Sequence, residues 1–340
     1  MNHPEPEICV YGAGSVGCYL GGRLLATGSR VSFVGRPRQR DVVLAHGLCC
    51  TDLDGARHHV APEQLRYAVD PAIAADADIV LVTVKSDATE VAARELAAVL
   101  KPGAIVVSLQ NGLRNADPLR ARLGDHPVLA GMVPFNVLAR GEGQFHHGSG
   151  GQLAIEDRPA TATLLGVFAR AGLPLAVHAD IRTVQWSKLL LNLNNAINAL
   201  SGLPLREELA QRDFRRCLAA AQAEALALLA AAGIPLAQLT RVRPQWLPTL
   251  LRLPDVLFRR LARQMVAIDP LARSSTWEDL EAGRRTEVDH INGEVVALAA
   301  TLGRQAPVNA RLVQLIRQAE AGGRRDWRAA ELYRALRAGV

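Results

Sequence analysis

EICVYGAGSVGCYLGGRLLATGSRVSFVGR, residues 7–36, decides the fold of this chain. An apolar, β-branched run meets Gly12-Ala13-Gly14-Ser15-Val16-Gly17, a helix-like stretch follows to Gly28, and a second apolar run, VSFVG, ends at Arg36. Strand, glycine turn, helix and second strand in that order form the opening βαβ unit of a dinucleotide-binding sheet. Gly12 is expected to make the tight turn, Gly14 to let backbone approach a pyrophosphate, and Gly17 to pack helix on strand, with Ser15 and Val16 completing the cofactor-binding loop. An acid that would hold a ribose 2′-hydroxyl belongs about 20 residues further on. Arg36 stands there instead, with Arg38 and Arg40 close behind. A guanidinium pairs bidentately with phosphate, which favours NADP(H) over NAD(H).

Beyond that unit the alternation continues through ADIVLVTVKS (77–86), VAARELAAVL (91–100) and AIVVSLQNG (104–112). Apolar β-branched runs separated by helices indicate parallel strands covered on both faces. Residues 128–155 read as shorter strands, and a helix in TATLLGVFARAG with a strand in LPLAVHA closes the domain near Asp180. From Thr183 onward, Ala/Leu/Arg-rich segments with helical apolar spacing replace the strands. The expected class is α/β: an N-terminal Rossmann-type doubly wound parallel sheet over residues 1–180, with a C-terminal all-helical domain over 181–340. No repeat or low-complexity linker marks the boundary, so the change of period alone sets it.

Composition narrows the function. The chain has 340 residues, 49% of them hydrophobic, enough for two buried cores. Its net charge of +6 comes from scattered arginines without a basic block or aromatic interleaving, which argues for a solvated surface and against nucleic acid. Five cysteines without CxxC spacing read as free thiols in a reducing compartment, with no metal site. No apolar run approaches the roughly 18 residues of a membrane span, and MNHPEPE lacks a signal-peptide pattern, so the expected location is cytoplasmic. Of 39 basic residues only Lys85, Lys101 and Lys188 are lysine. A lysine kept in so arginine-rich a chain marks a place that needs a compact, transferable proton. Lys101, in the turn LKPG, reads as surface.

Ligands of such a sheet bind beyond the carboxyl ends of the strands, where Lys85 and Asn111 fall. In the helical half, QWSKLLLNLNNAINAL (185–200) puts Lys188, Asn192 and Asn195 on one stripe of a helix. A lysine there can polarise a carbonyl and protonate its oxygen as hydride reaches carbon. ARSSTWEDLEAGRRTEVDHINGEVVALA (272–299) adds Ser275, which with Glu278 fits a capping box and also offers a hydroxyl at a helix N-terminus. Glu287 reads as part of an amphipathic helix, near enough to Arg284 and Arg285 for surface ion pairs.

Together, GxGxxG, VTVK, QNG, WxKLLxN, SS followed by TEVDHINGEVV, and APVNARL (306–312) resemble the ketopantoate reductase family over nearly the whole chain. The resemblance implies that Lys188 is the general acid and that Glu287 holds the substrate hydroxyl and helps to order the lysine. It also implies that Asn192 and Ser275 bind the keto acid, that Asn111 and Lys85 contact cofactor and shape the cleft, and that Arg36 meets the 2′-phosphate. The family's second asparagine follows the lysine by eight residues, where this chain has Ala196, leaving Asn195 or Asn198 to stand in. Ser275 is followed by Thr-Trp where the family has methionine, and the segment between Ile234 and Ser274 is long. The expected function is NADPH-dependent reduction of 2-dehydropantoate to pantoate, in pantothenate and coenzyme A biosynthesis, in a cleft between the two domains. The alternatives are a reductase of another 2-keto acid and a non-catalytic NADP(H) sensor. A homodimer is an open possibility.

Overall fold

The computed structural model describes residues 5–261 and 272–338. It divides into two compact units, Met1–Arg182 and Thr183–Val340. In the first unit the strands are β1 (Glu7–Tyr11), β2 (Arg30–Val34), β3 (Leu48–Thr51), β4 (Arg57–Val60), β5 (Arg66–Ala68), β6 (Ile79–Val82), β7 (Ile105–Ser108), β8 (Val128–Met132), β9 (Val137–Ala139), β10 (Gln144–His147), β11 (Leu153–Glu156) and β12 (Leu175–His178).

Eight of them form one sheet in the order β12-β11-β8-β7-β6-β1-β2-β5. Neighbours are parallel except β8 and β11, which run antiparallel. The central strands carry unbroken apolar runs because both faces are covered: all four residues of β6 are fully buried. Each such side chain contributes about 1.5–3 kcal/mol relative to exposure. From β1 the chain builds outward to β2 on one side, and from β6 to β7 on the other. The reversal opens a crevice beyond the carboxyl ends of β1 and β6.

The other four strands make a separate sheet, β4-β3-β10-β9, packed on the Ser15–Ala26 helix. Cys50 of β3 lies so close to this helix that a Cβ on Gly22 would stand 2.6 Å from its Sγ. Tyr19 and Arg23 of the helix hydrogen-bond to each other at 2.8 Å, and Tyr19 reaches His147 of β10 at 3.4 Å. This sheet is an addition to the doubly wound sheet that the sequence implied. Its strands are three or four residues long and rich in histidine, so they carry little apolar signal.

The described residues of the second unit form helices and 3-10 turns without strands, as the change of period implied. The long Arg212–Ala231 helix runs through its core, burying Phe214, Cys217, Leu218, Ala221, Ala225 and Leu228 along one stripe. Arg215 on that helix is fully buried, yet its guanidinium is satisfied by the carbonyls of Leu209, Leu251 and Leu253 and by Asp255, and it lies over the Phe258 ring. It thereby holds residues 251–258, in the middle of the long segment after Ile234; residues 262–271 of that segment lie outside the described ones. Two of the late motifs meet in the core. Asn292 of INGEVV donates to Asn309 of APVNARL at 3.0 Å, and Asn309 donates to Glu224 at 2.7 Å. Glu224 also accepts the backbone N–H groups of Val308 and Asn309, closing the N-terminus of the Pro307–Glu320 helix. No helix of the described residues is long and apolar enough to cross a membrane.

Candidate active site

The glycine loop lies at the carboxyl end of β1, and each glycine is held there by a different constraint. Gly12 has φ +112°, and a Cβ on it would stand 2.6 Å from the Val84 N atom. On Gly17 a Cβ would meet the Gly12 carbonyl at 2.4 Å and Thr83 Oγ1 at 2.6 Å, so the third glycine lets helix and strand touch. Around Gly14, by contrast, a Cβ would meet no protein atom within 4 Å. Space remains open beside the loop while protein fills it behind. The Ser15–Ala26 helix begins here with neither a capping side chain nor an acid in its first turn. Its first N–H groups, those of Ser15, Val16 and Gly17, therefore have no partner within the helix, an arrangement suited to a pyrophosphate. This cradle fits a dinucleotide.

Arg36 directly follows β2 and Gly35, exposed, as N-cap of the Pro37–His46 helix. Arg40 pairs with Asp41, while among the described residues no ion pair engages Arg36 or Arg38. Tyr67 donates to the Arg36 carbonyl at 3.5 Å and stacks on Phe33.

Lys85 and Asn111 stand beyond the carboxyl ends of the adjacent strands β6 and β7, both half-buried. A polar network ties their loops together. Ser86 Oγ donates to the Asn111 carbonyl at 3.0 Å, and Asn115 Nδ2 donates to the same carbonyl and to Ser86 Oγ. Gln110 accepts from Ser108 at 2.9 Å and donates to Thr89 at 2.7 Å and to the Val84 carbonyl at 3.0 Å. Ser86, Thr89, Ser108 and Asn115 were not singled out in the sequence, and Gln110 stood there only within QNG; each is an ordinary polar residue whose role depends on two strand ends lying side by side. Lys101 is at the surface, bonded to Asp78 and to the Asp76 carbonyl.

In the second unit, the stripe of Lys188, Asn192 and Asn195 spans two helices, Ile181–Asn192 and Asn194–Ser201, where one had been expected. Leu193 between them keeps right-handed helical angles, φ −56° and ψ −20°, so the path continues with little turn. Lys188 is half-buried, and burial lowers its ammonium pKa to about 8. Asn192 and Asn195 are half-buried as well.

Asn198 is different. It is fully buried, donates to the Leu203 carbonyl and to Glu208, and accepts the Ser274 N–H at 2.9 Å. Its hydrogen-bonding groups are thus taken up by protein, whereas Asn195 Nδ2 points to Ser275 Oγ at 3.5 Å, the outer limit of a hydrogen bond.

Two expectations about residues 272–299 need correction. Ser274, not Ser275, caps the Ser275–Glu281 helix: its Oγ accepts the Trp277 N–H at 3.2 Å and donates to the Asn195 carbonyl at 3.0 Å. That leaves Ser275 exposed at the first position of the helix. Glu287, half-buried, does not sit in an amphipathic helix. It precedes a 3-10 turn, Val288–His290, because Ile291 at φ −119° and ψ −85° breaks the path before the Asn292–Thr301 helix. Arg284 pairs with Asp279, and Arg285 reaches Asp289 at 3.8 Å. The Glu287 loop is anchored by Glu320, which accepts the Thr286 N–H at 2.7 Å and is itself held by Arg317 at 2.6 Å. These contacts keep the Glu320 carboxyl below its ordinary range despite its partial burial.

Similarity to known proteins follows the same division. Residues 8–160 match the family model "Ketopantoate reductase PanE/ApbA", and residues 180–320 match the model of its C-terminal part. The 2-dehydropantoate 2-reductase of Halobacterium salinarum is 30% identical over 324 residues, covering 93% of this chain and all of the relative. That of Archaeoglobus fulgidus is 28% identical, covering 93% and 98%. A crystal structure of a PanE/ApbA family ketopantoate reductase from Ralstonia eutropha superposes with a TM-score of 0.79 at 32% identity, covering 93% of this chain and 99% of the other. A D-mandelate dehydrogenase bound to NADH and anilino(oxo)acetate, 18% identical with a TM-score of 0.77, shares the fold. The glycine cradle, the paired strand ends and the Lys188 stripe thus come in a chain whose two halves each match the corresponding part of one oxidoreductase family, and this chain belongs to the ketopantoate reductases.

Proposed function

We propose that the chain reduces 2-dehydropantoate to pantoate with NADPH, Lys188 acting as general acid. The observation that carries this reading is Lys188 itself. In a chain with three lysines among 39 basic residues, this half-buried one stands on the same helical path as Asn192 and Asn195, with its pKa lowered to about 8 by burial. Such an ammonium is still mostly protonated at neutral pH, yet it releases its proton far more readily than an exposed one.

In this reading Gly12, Gly14, Ser15, Val16 and Gly17 hold the pyrophosphate, Arg36 pairs with the 2′-phosphate, and Lys85 and Asn111 contact the cofactor from the strand ends. In the same reading Asn111 also contacts the keto acid. When bound, the nicotinamide supplies the hydride. Lys188 gives its proton to the carbonyl oxygen as that oxygen gains charge. Asn192, Asn195 and Ser275 orient the keto acid, while Glu287 accepts from the hydroxyl that forms, touches the cofactor and orders the lysine. Ser275, exposed at the first turn of its helix, offers a hydroxyl and backbone N–H groups to the substrate carboxylate.

The proposal extends to a cytoplasmic homodimer working in pantothenate and coenzyme A synthesis. Steady-state turnover with ketopantoate, an aromatic 2-keto acid and pyruvate, each with NADPH and with NADH, tests it. Ketopantoate with NADPH is expected to give the highest kcat/KM. Preference for the aromatic acid would keep the chemistry and replace the substrate. Tight NADPH binding without turnover on any keto acid would overturn the enzymatic reading.

A further inference from the structure

We infer that Glu208 is a positioning residue for the substrate contacts, acting through Asn198 and Ser274 to place Ser275 and Asn195. The inference rests on the reading of those two residues as ligands of the keto acid. Glu208 belongs to the short Leu205–Ala210 helix and is fully buried. Its Oε2 accepts from Asn194 Nδ2 at 3.0 Å and from Asn198 Nδ2 at 3.3 Å.

These bonds determine which way the Asn198 amide faces. An amide can present either its oxygen or its NH2 to a neighbour, and only acceptors decide between them. Glu208 and the Leu203 carbonyl are both acceptors, so the NH2 must face them. The Asn198 oxygen is left to take the Ser274 N–H at 2.9 Å. Ser274 is buried as well, and its hydroxyl connects the start of the Ser275–Glu281 helix to the Asn195 carbonyl. Both proposed substrate contacts therefore sit one covalent step from atoms that this chain of bonds holds.

Burial raises the Glu208 pKa to about 8, so near neutral pH the group is largely the uncharged acid. Oε1, which has no hydrogen-bond partner among the described residues, is the oxygen that can carry that proton, while Oε2 keeps both N–H bonds. What the network needs from residue 208 is accordingly an acceptor at full glutamate reach, not a charge.

Kinetics on Glu208→Gln, Glu208→Asp and Glu208→Leu in the full-length chain test this, with Ser275→Ala beside them. Glutamine keeps the reach and neutrality of the acid; aspartate keeps the carboxyl but withdraws it by one methylene. The expected result is a KM for ketopantoate raised about tenfold in the Asp and Leu variants and within about twofold of wild type in Gln. kcat and the NADPH dissociation constant should change little in all three. If the Leu variant does not fold, the contrast between Asp and Gln still decides. A Gln variant as impaired as Asp would overturn the inference, as would parallel losses in kcat, NADPH affinity and thermal stability, which mark a merely structural role. Ser275→Ala should raise the ketopantoate KM. If it does so while the Glu208 variants stay like wild type, this inference alone fails; if Ser275→Ala leaves KM unchanged, the reading of the substrate contacts fails and takes this inference with it.

Discussion

Three lysines among 39 basic residues made each one conspicuous, Lys188 among them, and Lys101 was set aside by its turn, which the structure places at the surface. The titration of Lys188 gives a prediction with a definite sign. In the proposed mechanism the protonated form is the donor, so kcat should hold below the folded pKa and fall as pH rises through about 8. A rate that climbs through that range would assign Lys188 a different role. Arg36 yields a second prediction. Losing a charge-assisted contact to the 2′-phosphate costs about 1.5–3 kcal/mol, so Arg36→Ala should raise the KM for NADPH roughly 10- to 100-fold and leave that for NADH nearly unchanged. Equal effects on both cofactors would detach Arg36 from the phosphate. Asn195 and Asn198 could not be told apart in the sequence, since both fall near the expected position. Burial separates them, and burial depends on the Leu203 carbonyl and Glu208, which fold back onto Asn198 from the next loop and helix.

Among the elements, the turn at Gly12 and the helix–strand contact at Gly17 were legible in the sequence, because the constraints there are local and steric. Gly17 and Gly14 predict opposite phenotypes. Gly17→Ala would drive a Cβ into the Gly12 carbonyl and Thr83, destabilising the chain by about 1–3 kcal/mol in chemical denaturation. Gly14→Ala meets nothing in the protein, so it should melt like wild type yet bind NADPH more weakly; a melting temperature lowered as much as that of Gly17→Ala would refute the open cradle. The Ser275–Glu281 helix was placed correctly but capped one residue too late. Two adjacent serines satisfy the local pattern equally, and contact with Asn195 and Asn198 selects Ser274. Glu208 adds a stability prediction. Its folded pKa is raised, so the stability it contributes is complete below the ordinary carboxyl range and is lost as pH rises toward about 8. Glu208→Gln removes that dependence, so its melting temperature relative to wild type should increase between pH 5 and pH 8. A constant difference would place an ordinary, solvated carboxylate at residue 208.

For the whole molecule, the change from alternating strand and helix to helix alone was plain in the sequence, and the units divide at 182–183. The four-stranded second sheet was not, because β3 pairs with β10 across nearly a hundred residues and no local pattern records such a partnership. The family resemblance was readable over the full length because its late motifs meet in the core: Asn292 and Asn309 bond to each other, which explains why INGEVV and APVNARL occur together. Whether Lys188 is the proton donor is decided by the turnover of Lys188→Arg with ketopantoate and NADPH at neutral pH. Arginine keeps the positive charge and much of the length but cannot release a proton there. If Lys188 donates the proton, kcat falls about 10²- to 10⁴-fold with NADPH affinity unchanged; a kcat within a few-fold of wild type would show that charge alone suffices and that Lys188 is not the donor.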